Sequence, residues 1–220
     1  MASFSSSSYL HYFRLGETAY REKVRFYEEN KDSLGLLSFH DKIEVDIDYL
    51  LCVFEVGRYE KFLSMADPVI ETVIEQDIQS YKGENIFNEL IFRKAACLFQ
   101  MQKHTECKSI LAQLMRMDKG NPLYMGLYTI CNRKIHNDSI MTIRALAIAS
   151  MLIVVGITIA RILLIEPFFD QYMEPFLLLR NALIGFSFLC LTGLELGFQY
   201  RIYKETGLFS VQVLNRIFGL

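Results

Sequence analysis

The chain has 220 residues, a formal net charge of −2 and a mean hydropathy of +0.21. Its 12 Gly and 4 Pro exclude a collagen-like or Pro-rich disordered chain, and a pI near 6.1 argues against nucleic-acid binding, which needs a basic face. Apolar residues make up 52%, yet most of the 23 Lys/Arg and 25 Asp/Glu lie in the first 140 residues, so a soluble part, residues 1–138, precedes an apolar one.

The opening segment, MASFSSSSYLHYF, has neither a basic n-region nor an apolar core. It therefore reads as a frayed start rather than a signal peptide, which leaves the soluble part on the cytoplasmic side. Helical periodicity begins with Tyr20, Val24, Phe26 and Tyr27 in a first helix over residues 9–30. Residues 41–56 form the next helix, with Ile43, Ile47, Leu50, Leu51 and Phe54 on one side and Gly57 as its end. Asp41 is a carboxylate at a helix N-terminus. Glu44, Asp46 and Asp48 fall on different faces at a period of 3.6 and read as a solvated surface. Residues 59–79 carry Phe62, Ala66, Val69, Ile70 and Val73, and Pro68 predicts a kink or restart at 66–67. A polar break at 80–85 leads to a helix pair, 86–101 and 105–117. A turn over 118–122 follows, with Pro122 opening the helix 123–135. No alternating strand run occurs, so the fold class is all-α.

The two helix pairs are similar to each other. Residues 54–62, FEVGRYEKF, align with 99–107, FQMQKHTEC, at a spacing that also superposes Cys52 on Cys97. Over residues 41–135 the chain resembles the tetratricopeptide repeat, a helix–turn–helix unit of about 34 residues. The residues that carry the likeness are Gly57, Tyr59 and Phe62 in one unit and Ala95, Phe99, Cys107, Leu111 and Pro122 in the other. Gln102 and His104 stand where the family has Gly and Tyr, no Trp opens either unit, and the period is longer than the family's. The resemblance implies stacked antiparallel helix pairs that bind a protein partner on one face, with Tyr59 packed between its two helices, and it implies no activity.

Beyond residue 138 the pattern changes. Residues 145–165 contain one charge, Arg161, over a length that matches a hydrocarbon core. A second span, 176–198, includes Arg180 and Glu195. The connection between the spans is acidic and lacks Lys and Arg, whereas Arg133, Lys134, Arg144, Arg201 and Lys204 flank the outer ends. By the positive-inside rule the expectation is a transmembrane hairpin, 139–205, with both termini cytoplasmic. Arg161 and Arg180 are read as snorkelling toward the acidic loop, and Glu195 toward the inner interface. Ala145, Ala149, Gly156, Ala160, Gly185, Gly193 and Gly197 are small residues that permit close helix approach, either between the two spans or between copies in a homo-oligomer through Gly193 and Gly197. Residues 206–220 form an amphipathic tail.

No nucleophile elbow, phosphate loop or metal-ligand spacing is present, and the five Cys form no C-x-x-C. No catalytic residue, metal or cofactor is expected. The expected function is a membrane-anchored adaptor, a helical-repeat head that binds a protein at the cytoplasmic face of a lipid bilayer. The plan looks like that of tail-anchored two-repeat adaptors of mitochondria, with a hairpin replacing their single span. The alternatives are a homo-oligomeric pore or membrane-disrupting effector that uses Arg161, Arg180 and Glu195, or an immunity-type inhibitor of a toxic partner.

Overall fold

The computed structural model describes residues 2–119, 121–165 and 173–207. The connection expected to be acidic and the amphipathic tail lie mostly or wholly outside these residues. The described chain is all-α, with ten helices: α1 (Ala2–Arg14), α2 (Tyr20–Glu29), α3 (Lys31–Leu34), α4 (Phe39–Glu55), α5 (Tyr59–Glu75), α6 (Ile86–Gln100), α7 (His104–Met117), α8 (Pro122–Ile135), α9 (Asn137–Ala160) and α10 (Met173–Thr206). The chain forms two compact units, Met1–Cys131 and Asn132–Leu220, so the division falls inside α8.

The first unit departs from the sequence expectation in three places. The serine run is helical within α1, and the helix expected over 9–30 is broken between Arg14 and Tyr20. Gly16 lies in the break, where its carbonyl accepts from the Ala19 amide in a turn. The polar break at 80–85 is a small antiparallel hairpin, β1 (Ser80–Tyr81) and β2 (Glu84–Asn85). Lys82 and Gly83 both adopt positive φ, the geometry of a two-residue primed turn. Third, no restart occurs at 66–67, and α5 runs through Pro68 as one helix. The Thr72 hydroxyl donates to the Pro68 carbonyl at 2.8 Å, inside the continuous helix.

Neighbouring helices stack in chain order, α4 on α5, α5 on α6 and α6 on α7. The core of α2, α4, α5 and α6 contains Val24, Ile47, Leu50, Val53, Phe62, Ala66, Val73 and Leu90. Ser38 opens α4, its Oγ accepting from the Asp41 amide while its hydroxyl donates to the Asp41 carboxylate. Asn85 caps α6 through its side chain in the same way.

The second unit is the pair α9 and α10, with a π-helical turn, Arg161–Ile165, continuing α9. The pair is antiparallel. His136 meets Arg201 near the ends remote from the connection, and Ser150 hydrogen-bonds Ser187 further in. Asn137–Leu163 and Glu174–Thr206 are each long and apolar enough to cross a membrane. Only 11% of the first window and 6% of the second is buried, which is not how the core helix of a soluble protein sits. Leu152, Leu163, Leu178, Phe188, Leu189 and Leu196 are all exposed.

The close approach of α9 to α10 involves Ala147, Ser150 and Ser187, which are buried in the pair. A methyl placed on Gly156, Gly185, Gly193 or Gly197 would meet no atom within 4 Å. The approach of the two helices therefore does not require the G-x-x-x-G, whose glycines line an open cleft with Ser139, Ile140 and Ile143 of α9. Substituting Gly193 and Gly197 together by Ala is expected to leave the helix pair intact, measured as unchanged proximity in cross-linking of cysteines placed at Ser150 and Ser187. Loss of that cross-link would mean that the glycines do hold the pair.

Candidate functional site

The turns of the two central helix pairs match bond for bond. At the end of α4 the Gly57 amide donates to Phe54 O at 2.9 Å, and the Arg58 amide to Val53 O at 3.1 Å. At the end of α6 the Gln102 amide donates to Phe99 O at 3.0 Å, and the Lys103 amide to Leu98 O at 2.9 Å. Both are Schellman ends, which need a left-handed residue just past the helix. Gly57 has φ +81 and Gln102 has φ +61. The aromatic contact recurs too: Tyr59 packs edge-on against Phe54, with centroids 6.0 Å apart, and His104 against Phe99 at 5.3 Å.

Burial repeats at the same offset. Leu50 and Ala95, Cys52 and Cys97, Phe62 and Cys107, and Ala66 and Leu111 are equivalent pairs, all buried. Tyr59 is only half-buried, so it is not enclosed between α4 and α5. Pro122 is the first residue of α8, and Asn121 Oδ1 accepts from the Leu123 amide beside it.

The acidic stretch of α4 is not a solvated surface. Asp48 is 3% exposed and Lys23 2%. Lys23 Nζ donates to Asp48 Oδ2 at 2.7 Å, and the Tyr12 hydroxyl to the same oxygen at 3.2 Å. Lys82 Nζ and the Tyr81 hydroxyl donate to Oδ1 at 2.9 and 3.1 Å, and the Cys52 thiol completes the shell at 3.7 Å. The ammonium of Lys23 also lies over the rings of Tyr12 and Phe13. Burial opposes the charge on Asp48, but the hydrogen bonds from Lys23 and Lys82 outweigh it and hold the carboxyl below its usual range. Burial and the nearby carboxylate push the Tyr12 and Tyr81 hydroxyls up, which keeps them as donors. Tyr9 donates to Glu44 at 2.6 Å and Tyr27 to Asp46 at 2.7 Å, so all three acidic residues bind tyrosines. The cluster is a structural lock that joins α1, α2, α4 and the hairpin. No substrate-sized space adjoins it among the described clefts.

A groove opens on the surface of the first unit. Two adjoining clefts of about 360 and 420 Å³ share Arg21, Glu22 and Val56. They lie between the start of α2 and the α4–α5 turn, with Thr18, Tyr20, Arg25, Glu28 and Arg58 along the walls. Glu28 accepts from both Arg58, at 2.7 Å, and Lys61, at 2.5 Å, so two cations share one carboxylate. The bond from Lys61 leads in lowering the Glu28 carboxyl below its usual range, with Arg58 adding to it against burial. Glu55 is engaged by Arg93 at 2.6 Å. Arg21 makes no ion pair among the described residues. The groove thus sets three guanidinium groups, Arg21, Arg25 and Arg58, among three carboxylates, Glu22, Glu28 and Glu55, beside Val56, and Arg25 also pairs with Glu29 at 3.7 Å. The sequence pattern marked none of these residues, because their grouping depends on the α2–α4 packing.

The charges within the two apolar helices, Arg161, Arg180 and Glu195, are not brought together. Glu195 faces Arg133 at 3.6 Å and accepts from Gln199, near the end of the pair remote from the connection. Arg180 donates to its neighbour Asn181. Arg161 is half-buried, and its Nε has no partner among the described residues. Whether the arginines meet the acidic connection falls outside the described residues. No group of three His, Cys, Asp or Glu that could hold a metal occurs among the described residues. Comparison with family models, curated proteins and solved structures finds no match for this chain.

The geometry makes three stability predictions. Gln102 in a left-handed turn carries a cost of about 1–2 kcal/mol that glycine does not. Gln102→Gly should raise the denaturation midpoint of the detergent-solubilised chain and Gly57→Ala should lower it; equal midpoints would show that the turns are not so strained. Lys23→Ala leaves a buried carboxylate without its enclosed partner and should cost about 3–5 kcal/mol. Lys82→Ala removes a pair whose lysine side chain is 49% exposed, so about 1 kcal/mol or less is expected. Because the folded carboxyl of Asp48 titrates below its ordinary 3.8, its stabilisation is present above that pH and lost as pH falls below it. Wild type should therefore lose stability more steeply on acidification below pH ~4 than Asp48→Asn does, and parallel pH profiles would contradict the lock.

Proposed function

We propose that the chain is a membrane-anchored protein-interaction module. Its head is a tetratricopeptide-like pair of helical repeats, and the helix pair α9–α10 is a hairpin that holds the head at the cytoplasmic face of a bilayer. The observation that carries this reading is the recurrence of one turn, one aromatic contact and one burial pattern in α4–α5 and α6–α7. Stacked repeats present side chains for partner recognition and need no catalytic group. The exposed apolar lengths of α9 and α10 supply the anchor.

The groove between α2 and the α4–α5 turn is the partner site in this account. Arg21, which makes no ion pair among the described residues, suits a carboxylate on a partner protein, with Arg58 beside the same cleft, since arginine forks pair with carboxylates in two-point contacts. Val56, half-buried at the edge of the groove, suits an apolar side chain in the same segment. Capture experiments with the full chain in detergent test this. Wild type is expected to retain a stoichiometric partner that dissociates as salt is raised, and Arg21→Glu with Arg58→Glu is expected to lose it at least tenfold while the head stays folded. Equal capture by the variant would place partner binding elsewhere.

The orientation follows from the distribution of Lys and Arg around the two helices. A cysteine placed at Gln171 should react with an impermeant reagent added from outside, and cysteines at Ser139 and Thr206 should not. Reaction of all three from one side would overturn the hairpin. A pore built from Arg161, Arg180 and Glu195 has less support, because Glu195 faces Arg133 rather than either arginine.

A further inference from the structure

The five cysteines are not equivalent. Cys52 and Cys97 are buried one at a time, and burial pushes both thiols up to about 12. Cys107 and Cys131 form a pair. Cys107 lies on α7 and Cys131 on α8, both have no exposed surface, and their sulfurs are 3.1 Å apart. That separation is only about 1 Å longer than a disulfide bond. The two residues are 24 apart in sequence, so no short motif announces them.

We propose that Cys107 and Cys131 are a redox-active dithiol that a hydroperoxide converts to a disulfide joining α7 to α8. The Cys131 sulfur attacks the peroxide. An S–O bond forms, the O–O bond breaks, and the departing oxygen leaves as alcohol or water after taking a proton. Cys131 is then a sulfenic acid. The Cys107 sulfur gives up its proton and attacks the Cys131 sulfur, so the S–S bond forms, the S–O bond breaks and water leaves. Two thiols and one hydrogen peroxide yield one disulfide and two waters, with two electrons passing from sulfur to oxygen.

Three features of the pair support this chemistry over mere packing. The hydrogen bond shared with Cys107 lowers the Cys131 thiol against the effect of burial, the reverse of the shift at Cys52 and Cys97, which favours Cys131 as the attacking sulfur. The resolving sulfur is already in contact, which favours the disulfide over further oxidation. Finally, α8 can make the remaining movement of about 1 Å. Its backbone approaches the other helices of the head less closely than theirs approach one another. It is held through the side chains of Tyr124, Tyr128 and Cys131, of which Tyr124 meets the ring of Phe92 at 5.2 Å. Disulfides of cytosolic proteins are mostly of this transient, sensing kind.

The test uses the full chain in detergent, freed of reductant, treated with hydrogen peroxide, then denatured, alkylated and mapped by mass spectrometry. Wild type is expected to lose two of its five alkylation sites and to give a linked Cys107–Cys131 peptide pair that a thiol reductant separates. Cys107→Ser is expected to stop at a sulfenic acid on Cys131 that dimedone traps, and Cys131→Ser to give neither product. If the variants fail to fold, the wild-type map still decides. Alkylation of all five cysteines after peroxide, a link between other cysteines, or a sulfinic acid on Cys131 beside a free Cys107 would each overturn the proposal.

Discussion

The account depends on one constraint: the apolar surface of α9 and α10 has to leave water. The two helices bury little of themselves in each other, and their outward faces carry leucine, isoleucine and phenylalanine along most of their length. At about 25 cal/mol per Å² such surface would cost many kcal/mol in solution, far more than one hydroxyl pair can offset. The polar contacts of the pair fit a bilayer setting. Ser150 and Ser187 satisfy each other inside, while Arg133, Glu195, His136 and Arg201 gather toward the ends remote from the connection. Backbone groups are satisfied within each helix, which is what hydrocarbon demands.

The head obeys a different constraint. Its helices are short and amphipathic, and each can bury its apolar stripe only against the next, so stability accumulates through neighbours. The left-handed residue after α4 and after α6 reverses the chain tightly enough for that stacking. The buried carboxylate of Asp48 then ties the N-terminal helices and the small hairpin to the first pair. A buried ion pair of this kind adds little net stability over a hydrophobic substitute, but it penalises any arrangement in which Lys23 or Asp48 is left alone.

Much of the fold was legible because amphipathic periodicity is a local signal. The helices over 41–56, 86–101, 105–117 and 123–135 follow from the spacing of Ile43, Ile47, Leu50, Leu111 and their neighbours, and the two apolar helices follow from composition alone. The break near Gly16 was missed because one glycine within a periodic run is a weak stop, and the helical serine run because serine favours caps and turns over helix interiors. What failed more deeply was everything set by long-range contact. Asp48 looked like part of a solvated face because its partners Tyr12, Lys23, Tyr81 and Lys82 are between 25 and 36 residues away in sequence. The Cys107–Cys131 contact and the Arg21–Arg58 groove were hidden for the same reason. Gln102 counted against the repeat by residue type, yet it adopts the left-handed backbone that the family's glycine would. The glycines of α10 were legible as small residues, but the open space around them was not.

Membrane insertion of the α9–α10 pair is the central claim, and flotation tests it most directly. The full chain is synthesised without cells in the presence of phospholipid vesicles, washed with alkaline carbonate and centrifuged through a density gradient. The account predicts that the chain rises with the vesicles after the wash, and that a chain ending before residue 137 does not. Recovery of the full chain as a soluble species in the carbonate supernatant would contradict it.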